Sequence, residues 1–315
     1  MACETMTKDY CTDAVINSSI ASFKTLLTHH SIQVDRLVDY YYTDANAAVS
    51  VGRIIQMLCN CLKARNKIIF VGCGKSLKIA NKVVSTLQSM GMSSISMHPT
   101  DALHGDIGTV GEGDCIMACS TSGETEEIIQ LLKYLDEKEI WHGENGRRIQ
   151  KVAVTAEAHS TIGSMSDECL LVPKKVKECE VQNGLKAPTV SSTSMLIVLD
   201  CLSLALSQAH SNGDLATRNK VFEVMHPGGK IGETTRSNGS NTPPPTRTIV
   251  DAAKIRCGMS ELDILQAVIL YDWIDWDGKK QVPSVVVQSH YRAWKKSNSG
   301  AFDQYLNDIL SSAAI

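Results

Sequence analysis

The chain has 315 residues, a formal net charge of −3, and 43% hydrophobic against 21% charged residues. These are the proportions of a folded globular protein, and they exclude a disordered or fibrous chain. The charge balance also lacks the basic excess that is typical of nucleic-acid-binding surfaces.

The N-terminal sequence MACETMTKDYCTD has no basic segment followed by an apolar one, so it does not resemble a secretion signal. The longest apolar stretch, residues 195–206, is interrupted by Asp200 and is too short to span a bilayer. The eleven cysteines have no paired spacing, which favours reduced thiols. We therefore expect a cytoplasmic protein with no membrane or nucleic-acid partner.

Apolar positions recur at helical spacing from about residue 12 to 63, which predicts two or three helices. Short apolar runs with β-branched residues then alternate with helical stretches, of which one covers 76–90 and a long apolar one about 189–208. The runs predict strands at 67–71, 94–97, 114–119, 151–155 and 168–172. Because parallel neighbours need crossover connections, this order predicts an α/β fold with a doubly wound, parallel five-stranded sheet flanked by helices.

The segment SNGSNTPPPTRT, residues 237–248, is polar and rich in proline and serine, so it cannot continue a helix or a central strand. A helix at 261–270 and a short strand at 283–288 are predicted after it, and 136–151 is predicted to be a surface insertion. We divide the chain into a helical segment, the sheet domain, a flexible linker and a small C-terminal α/β tail, with bounds 1–45, 46–236, 237–250 and 251–315.

Two loops follow predicted strands at the edge where ligands of such sheets bind. The first, GCGKS at 72–76, lacks the glycines of a P-loop and of a dinucleotide site, because Ile69 and Leu77 stand at the required positions. It is either a tight turn or another kind of ligand loop. The second, STSGET at 120–125, has more hydroxyl groups than a helix cap requires. Hydroxyls at a helix N-terminus predict a phosphate site.

Titratable side chains occur in the remaining loops. His98, His104 and Asp106 follow the second strand, and a metal site built from them is a weak alternative, so we expect no metal. His226 lies beside proline and glycine, where a core role is a poor explanation. Further acids stand where a helix cap or a solvated loop is the alternative explanation: Glu124, Glu126, Glu127, Glu178 and Glu180.

Five segments together resemble the SIS (sugar isomerase) domain family from about residue 45 to 235: VGCGKS (71–76), HPTDALHGDIG (98–108), STSGETEEI (120–128), GLKAPTVSST (184–193) and HPGGKIG (226–232). HGDIG, APT-x-SST and HPGG are similar to its arabinose 5-phosphate isomerase branch. The resemblance implies an aldose–ketose isomerase that interconverts D-ribulose 5-phosphate and D-arabinose 5-phosphate through an enediol, without a cofactor. It also implies a homotetramer with active sites at subunit interfaces.

The resemblance implies the following catalytic residues: Lys75, His104, Glu127, Glu180 and His226. It implies that the substrate phosphate is held by Ser76, Ser120, Thr121, Ser122 and Thr125. Glu178 is the alternative to Glu180, because the length of the loop before Gly184 leaves the choice open. His104 would transfer the proton between carbons, His226 would open the ring with Glu180 assisting, and Glu127 would orient or share protons.

Three questions stay open at the level of sequence. A sugar-phosphate-binding regulator could use the same pocket without turnover, although this chain keeps the residue types that catalysis requires. An isomerase of another ketose phosphate is a further alternative, because the phosphate loop does not set the length of the sugar. The tail of about 65 residues after the linker could hold one degenerate CBS-like motif at most.

Overall fold

The computed structural model describes residues 12–137, 148–227, 251–278, 280–297 and 300–311. It begins with two helices, α1 (Asp13–Thr43) and α2 (Ala45–Lys63), which confirms the helical prediction for this segment. Asp44 separates them and caps α2, since its carboxylate accepts a hydrogen bond from the Asn46 amide at 2.9 Å. A single extended residue therefore separates the two helices.

Five parallel strands form one sheet in the order β2-β1-β3-β4-β5. Their bounds are β1 (Ile68–Gly72), β2 (Ser94–Met97), β3 (Cys115–Cys119), β4 (Gln150–Thr155) and β5 (Glu168–Leu171). Each bound lies within one residue of the prediction. In the central register, Val71 lies opposite Met97 on one side and Ala118 on the other. The central strands are buried on both faces, as apolar runs in a parallel sheet predict.

Helices cover both faces of this sheet, which confirms the doubly wound fold. They are α3 (Gly74–Ser89), α4 (Pro99–Leu103), α5 (Glu126–Glu137), α6 (Thr161–Ser164), α7 (Glu178–Val181), α8 (Val190–His210) and α9 (Leu215–Val224). Phe70 and Met117 enter one core with α2, α3 and α8. Ile69 and Ile116 enter the other with α4, α5 and α6. Alternate strand residues thus serve opposite layers.

Helix α8 is the most apolar long helix of the described residues. By length and composition it could cross a membrane, and it alone passes that test among the described helices. However, 56% of its most apolar window is buried inside the protein, where it contacts α1, α2 and α3. Its apolar composition is therefore explained by the core that it closes.

A second, smaller sheet forms the C-terminal unit, residues 251–311. Its elements are β6 (Ala252–Ile255), α10 (Glu261–Leu270), β7 (Trp273–Trp276), β8 (Lys280–Pro283), α11 (Ser284–Ser297) and α12 (Phe302–Ser311). Strand β7 pairs with β6 in parallel and with β8 in antiparallel orientation. The predicted helix at 261–270 is confirmed.

The predicted strand at 283–288 is wrong, because α11 begins at Ser284. Its Val287 and Trp294 enter the core of the C-terminal unit, so helical packing overrides the local β-branched preference. Arg292 of α11 also pairs with Asp39 of α1 at 2.7 Å. The domain bounds stay predictions, since the linker 237–250 and most of the insertion at 136–151 lie outside the described residues.

Candidate functional site

A cavity of about 650 Å³ opens beyond the carboxyl ends of the parallel strands. Segments after β1, β3, β4 and β5 line it, together with the first turn of α8. This is the edge at which doubly wound sheets bind ligands. Among the residues expected to act on a substrate, six line the cavity: Lys75, Ser76, Ser120, Thr121, Ser122 and Thr125.

The hydroxyl loop, residues 120–125, is held in one conformation by its own side chains. The Ser120 Oγ lies 2.8 Å from the Thr125 Oγ1 and accepts a hydrogen bond from the Gly123 amide at 3.0 Å. Gly123 has a φ of 68°, and a Cβ there would lie 1.9 Å from the Ser160 Oγ. Only glycine fits this turn, which presents the hydroxyl groups at the start of α5.

The loop after β1 places Lys75 and Ser76 in the first turn of α3. The backbone conformation of Gly74, with a φ of 55°, begins this helix directly after the strand. A cationic side chain and a hydroxyl group therefore line the cavity beside the hydroxyl loop. Burial raises the pKa of the neighbouring Cys73 thiol, with a smaller contribution from the charge of Glu127.

Glu178 is the buried acid of the cavity wall. One of its carboxylate oxygens accepts hydrogen bonds from the Ser191 Oγ at 2.6 Å and from the Ser191 amide at 3.0 Å. The other accepts from the Thr189 Oγ1 at 3.1 Å. Burial would raise the pKa of Glu178, but the hydrogen bonds from Ser191 and Thr189 outweigh it and the pKa is lowered. The side chain is thus held as a carboxylate that ties α7 to α8.

Glu180, two positions after Glu178, lies outside this wall. It is exposed, does not line the cavity, and accepts a hydrogen bond from the Lys177 amide at 3.4 Å. Of the two acids between which the sequence left the choice open, the structure therefore brings Glu178 into the cavity. The role of either acid in catalysis stays a prediction.

The other predicted catalytic residues do not line the cavity within this chain. Glu127 is exposed in the first turn of α5, near Cys73. His104 is exposed at the end of α4, on the cavity side of the sheet because α4 follows β2. Among the described residues, there is no group of three or more His, Cys, Asp or Glu side chains that could hold a metal ion. The side chains of His98, His104 and Asp106 therefore form no such group.

His226 lies near the amino-terminal ends of the strands, opposite the cavity. It follows α9, and both Val221 of α9 and Met225 just after it pack against Gly91 in the turn before β2. Its Nδ1 lies 2.7 Å from the Phe222 carbonyl oxygen and donates a hydrogen bond to it, because a carbonyl oxygen can only accept. One chain therefore does not bring His226 to its own cavity.

Four lysines of the cavity were missed as site residues: Lys174, Lys175, Lys177 and Lys186. Three of them follow β5 directly in the sequence PKKVK, and Lys186 precedes α8. A basic run at the carboxyl end of a predicted strand is a signal that the sequence did contain. Ser191 and Ser192 were also missed, because they are part of a helix that is otherwise apolar.

A model of the SIS domain family matches residues 62–205. Among solved structures, an E. coli CFT073 protein in complex with arabinose 5-phosphate is 30% identical, with a TM-score of 0.52 over 66% of this chain and 98% of that chain. The chain belongs to the SIS domain family. A Listeria monocytogenes protein, 20% identical over 69% of this chain and all of its own, has the same fold with a TM-score of 0.54.

Curated relatives include arabinose 5-phosphate isomerases. KdsD of Salmonella typhimurium is 32% identical over 202 residues, which is 64% of this chain and 52% of that protein. KpsF of E. coli O6:H1 is 32% identical over 180 residues, which is 57% of this chain and 49% of that protein. The chain thus spans about half the length of the curated relatives that it matches.

Proposed function

We propose that this protein is a phosphosugar isomerase that interconverts D-ribulose 5-phosphate and D-arabinose 5-phosphate. The observation that carries the proposal is that the hydroxyl loop and Lys75 line the same cavity of a SIS-domain sheet. The similarity to KdsD and KpsF supports the reaction, and the E. coli relative in complex with arabinose 5-phosphate supports the sugar phosphate as ligand.

The phosphate would lie on the hydroxyl loop. Hydroxyl groups and backbone N–H groups at the start of a helix bind an anion without bringing a competing negative charge. Glu124, the acid within this loop, turns away, because its carboxylate accepts a hydrogen bond from the Thr161 amide at 2.8 Å. Hydrogen bonds from the side chain and the amide of Thr161 lower the pKa of Glu124. The phosphate would be held by the five hydroxyl residues that line the cavity here: Ser76, Ser120, Thr121, Ser122 and Thr125.

The reaction moves a proton between the first and second carbons of the sugar. Such a step needs a base near neutrality and a group that stabilises the enediolate. Lys75, as a cation in the cavity, suits the second task. We assign the carbon-to-carbon transfer to His104 and ring opening to His226, with Glu127 orienting the protons. The acid that assists ring opening is Glu178 or Glu180, and the buried position of Glu178 favours it.

His226 serves this reaction only in an assembly. Because it lies at the edge opposite the cavity of its own chain, we propose that it reaches the cavity of a neighbouring subunit in a homotetramer. The active sites would then lie between subunits. We place the enzyme in the cytoplasm, where phosphorylated sugars and reduced cysteines occur; the nine described cysteines are all free thiols.

A second function is a sugar-phosphate-binding regulator. One observation favours it. Among the described residues of a single chain, Lys75 is the one predicted catalytic residue that lines the cavity. Binding of D-ribulose 5-phosphate without product would indicate this function.

The test is to incubate the purified protein with D-ribulose 5-phosphate and follow D-arabinose 5-phosphate by NMR. We expect product from the native protein, none from Lys75→Ala, and native rates from Lys78→Ala, which removes the same charge from α3 outside the cavity. Turnover of a different ketose phosphate instead of D-ribulose 5-phosphate would show that the proposed substrate is wrong. Near-normal activity of His104→Ala would show that His104 does not transfer the proton.

A further inference from the structure

The cavity carries more positive charge than one phosphate requires. Five lysines and two glutamates line it, which leaves a formal charge of +3. Lys75 stands beside the hydroxyl loop. The other four, Lys174, Lys175, Lys177 and Lys186, form what we call the lysine wall.

The lysine wall has no ion-pair partner in the part of the chain that the structure describes. Among the described residues, no carboxylate lies within ion-pair distance of any of its four side chains. Glu178, the acid within the same wall, is occupied by Ser191 and Thr189. Like charges around one cavity repel each other, and an anion between them would relieve that repulsion.

The lysine wall and the hydroxyl loop lie on different sides of the cavity. The hydroxyl loop follows β3, and three wall lysines follow β5, two strands away in the sheet. At the usual spacing of strands this separates the two segments by about 10 Å. An extended pentose or hexose chain covers such a distance, so one ligand could contact both.

We propose that the lysine wall is a second anion subsite of the cavity. The ligand would be a phosphorylated sugar with another anionic group, a carboxylate or a phosphate, at its opposite end. The inference rests on the proposed function, since the hydroxyl loop is taken to hold the first phosphate. Such a ligand would be bound in preference to a sugar with a single phosphate, as a substrate or as a competitor of one.

The test compares three ligands by isothermal titration calorimetry at low ionic strength: D-ribulose 5-phosphate, D-ribulose 1,5-bisphosphate and D-arabinonate 5-phosphate. We expect at least one of the doubly anionic ligands to bind about tenfold more tightly than the monophosphate, the effect of one additional ion pair partly shielded by water. The two doubly anionic ligands separate a phosphate subsite from a carboxylate subsite. Added salt should reduce the preference, because exposed charges are screened.

The decisive variant is the triple substitution Lys174→Ala, Lys175→Ala and Lys186→Ala. We expect it to lose the preference for the doubly anionic ligand. The matched control removes three lysines that do not line the cavity, Lys24, Lys133 and Lys254, and should keep the preference. Circular dichroism establishes that both proteins are folded.

Two results would overturn the inference. One is equal affinity of the native protein for all three ligands, and the other is an unchanged preference in the wall variant. If D-ribulose 5-phosphate binds and no preference is found, the second subsite alone is wrong. If no sugar phosphate binds at all, the proposed function is wrong as well.

Discussion

Glu178 stabilises the wall of the cavity through the donors that surround it. In Glu178→Gln, an amide NH₂ replaces one carboxylate oxygen, so the donors that face that position, either the Ser191 amide or the Gln182 side chain, lose their acceptor. We expect a loss of about 2 kcal/mol in the free energy of unfolding, measured with urea. Glu180→Gln is the control and should change it little, because Glu180 is exposed. Equal effects of the two substitutions would contradict this account.

The same carboxylate makes stability depend on pH. Its pKa in the folded protein is lowered from 4.5, so its contribution is present above that value and is lost as the pH falls through the folded pKa. On acidification below 4.5, the native protein should therefore lose more stability than Glu178→Gln does. If the free energy of unfolding changes with pH in the same way in both proteins, the Glu178 carboxylate is not the source of the pH dependence.

Gly123 permits the turn of the hydroxyl loop. In Gly123→Ala, the new methyl group meets the Ser160 Oγ at a backbone conformation that L residues rarely adopt. We expect a loss of about 2 kcal/mol and weaker binding of D-ribulose 5-phosphate, measured by urea unfolding and calorimetry. Gly108→Ala is the control, because a Cβ there has no neighbour within 4 Å. Native affinity in Gly123→Ala would contradict the role of this loop.

The amino-terminal ends of β1 and β3 are joined by Asp114. Its buried carboxylate accepts hydrogen bonds from the Lys67 Nζ at 2.6 Å, the Lys67 amide at 2.9 Å and the Gly111 amide at 2.7 Å. Asp114→Ala leaves those donors unpaired, so we expect a loss of about 3 kcal/mol in urea unfolding. Asp200→Ala breaks a more exposed ion pair with Lys82 and should cost less than about 1 kcal/mol. Similar losses in both would refute this ranking.

The strands could be predicted because each is a short apolar run bounded by polar or small residues. Burial on both faces of the sheet dictates that pattern, and the runs around Phe70 and Met117 show it clearly. The start of α11 could not be predicted in the same way. Val285, Val286 and Val287 favour a strand locally, whereas the core around Trp294 requires a helix.

The sequence predicted the site residues only where they follow one another in a single segment. The hydroxyl loop is continuous in sequence, so its chemistry was evident. The lysine wall and the Glu178 contacts join residues after β5 to the start of α8, and only the fold brings Glu178 and Ser191 together. His226 lies beyond such reasoning, because its position depends on how α9 packs.

The proposed assembly makes the active site a property of several subunits. Lys75→Ala and His226→Ala should each be inactive, while tetramers assembled from both variants should regain part of the activity, because some cavities contain neither substitution. Turnover of co-expressed variants, purified by two different tags, measures this. Absence of recovery in mixed oligomers, or a monomeric native protein in analytical ultracentrifugation, would contradict a site shared between subunits.

The C-terminal unit adds a second core to the molecule. Its order of strand, helix, two strands and two helices is built around Ile274 and Trp276, and its α11 contacts α1 through Arg292 and Asp39. The hypothesis of a single degenerate CBS-like motif concerns this unit, and it stays a prediction. Its contact with α1 places it beside the helices that cover the sheet, and none of its described residues lines the cavity.

The most direct test of the central claim is turnover of D-ribulose 5-phosphate in D₂O, followed by NMR. Proton transfer through an enediol predicts that D-arabinose 5-phosphate appears and that deuterium enters the carbon that exchanges its proton with solvent. Lys75→Ala should give neither signal, and Lys78→Ala should give both. If the native protein binds the ketose phosphate but yields neither product nor exchange, the cavity is a binding site and the protein is not this isomerase.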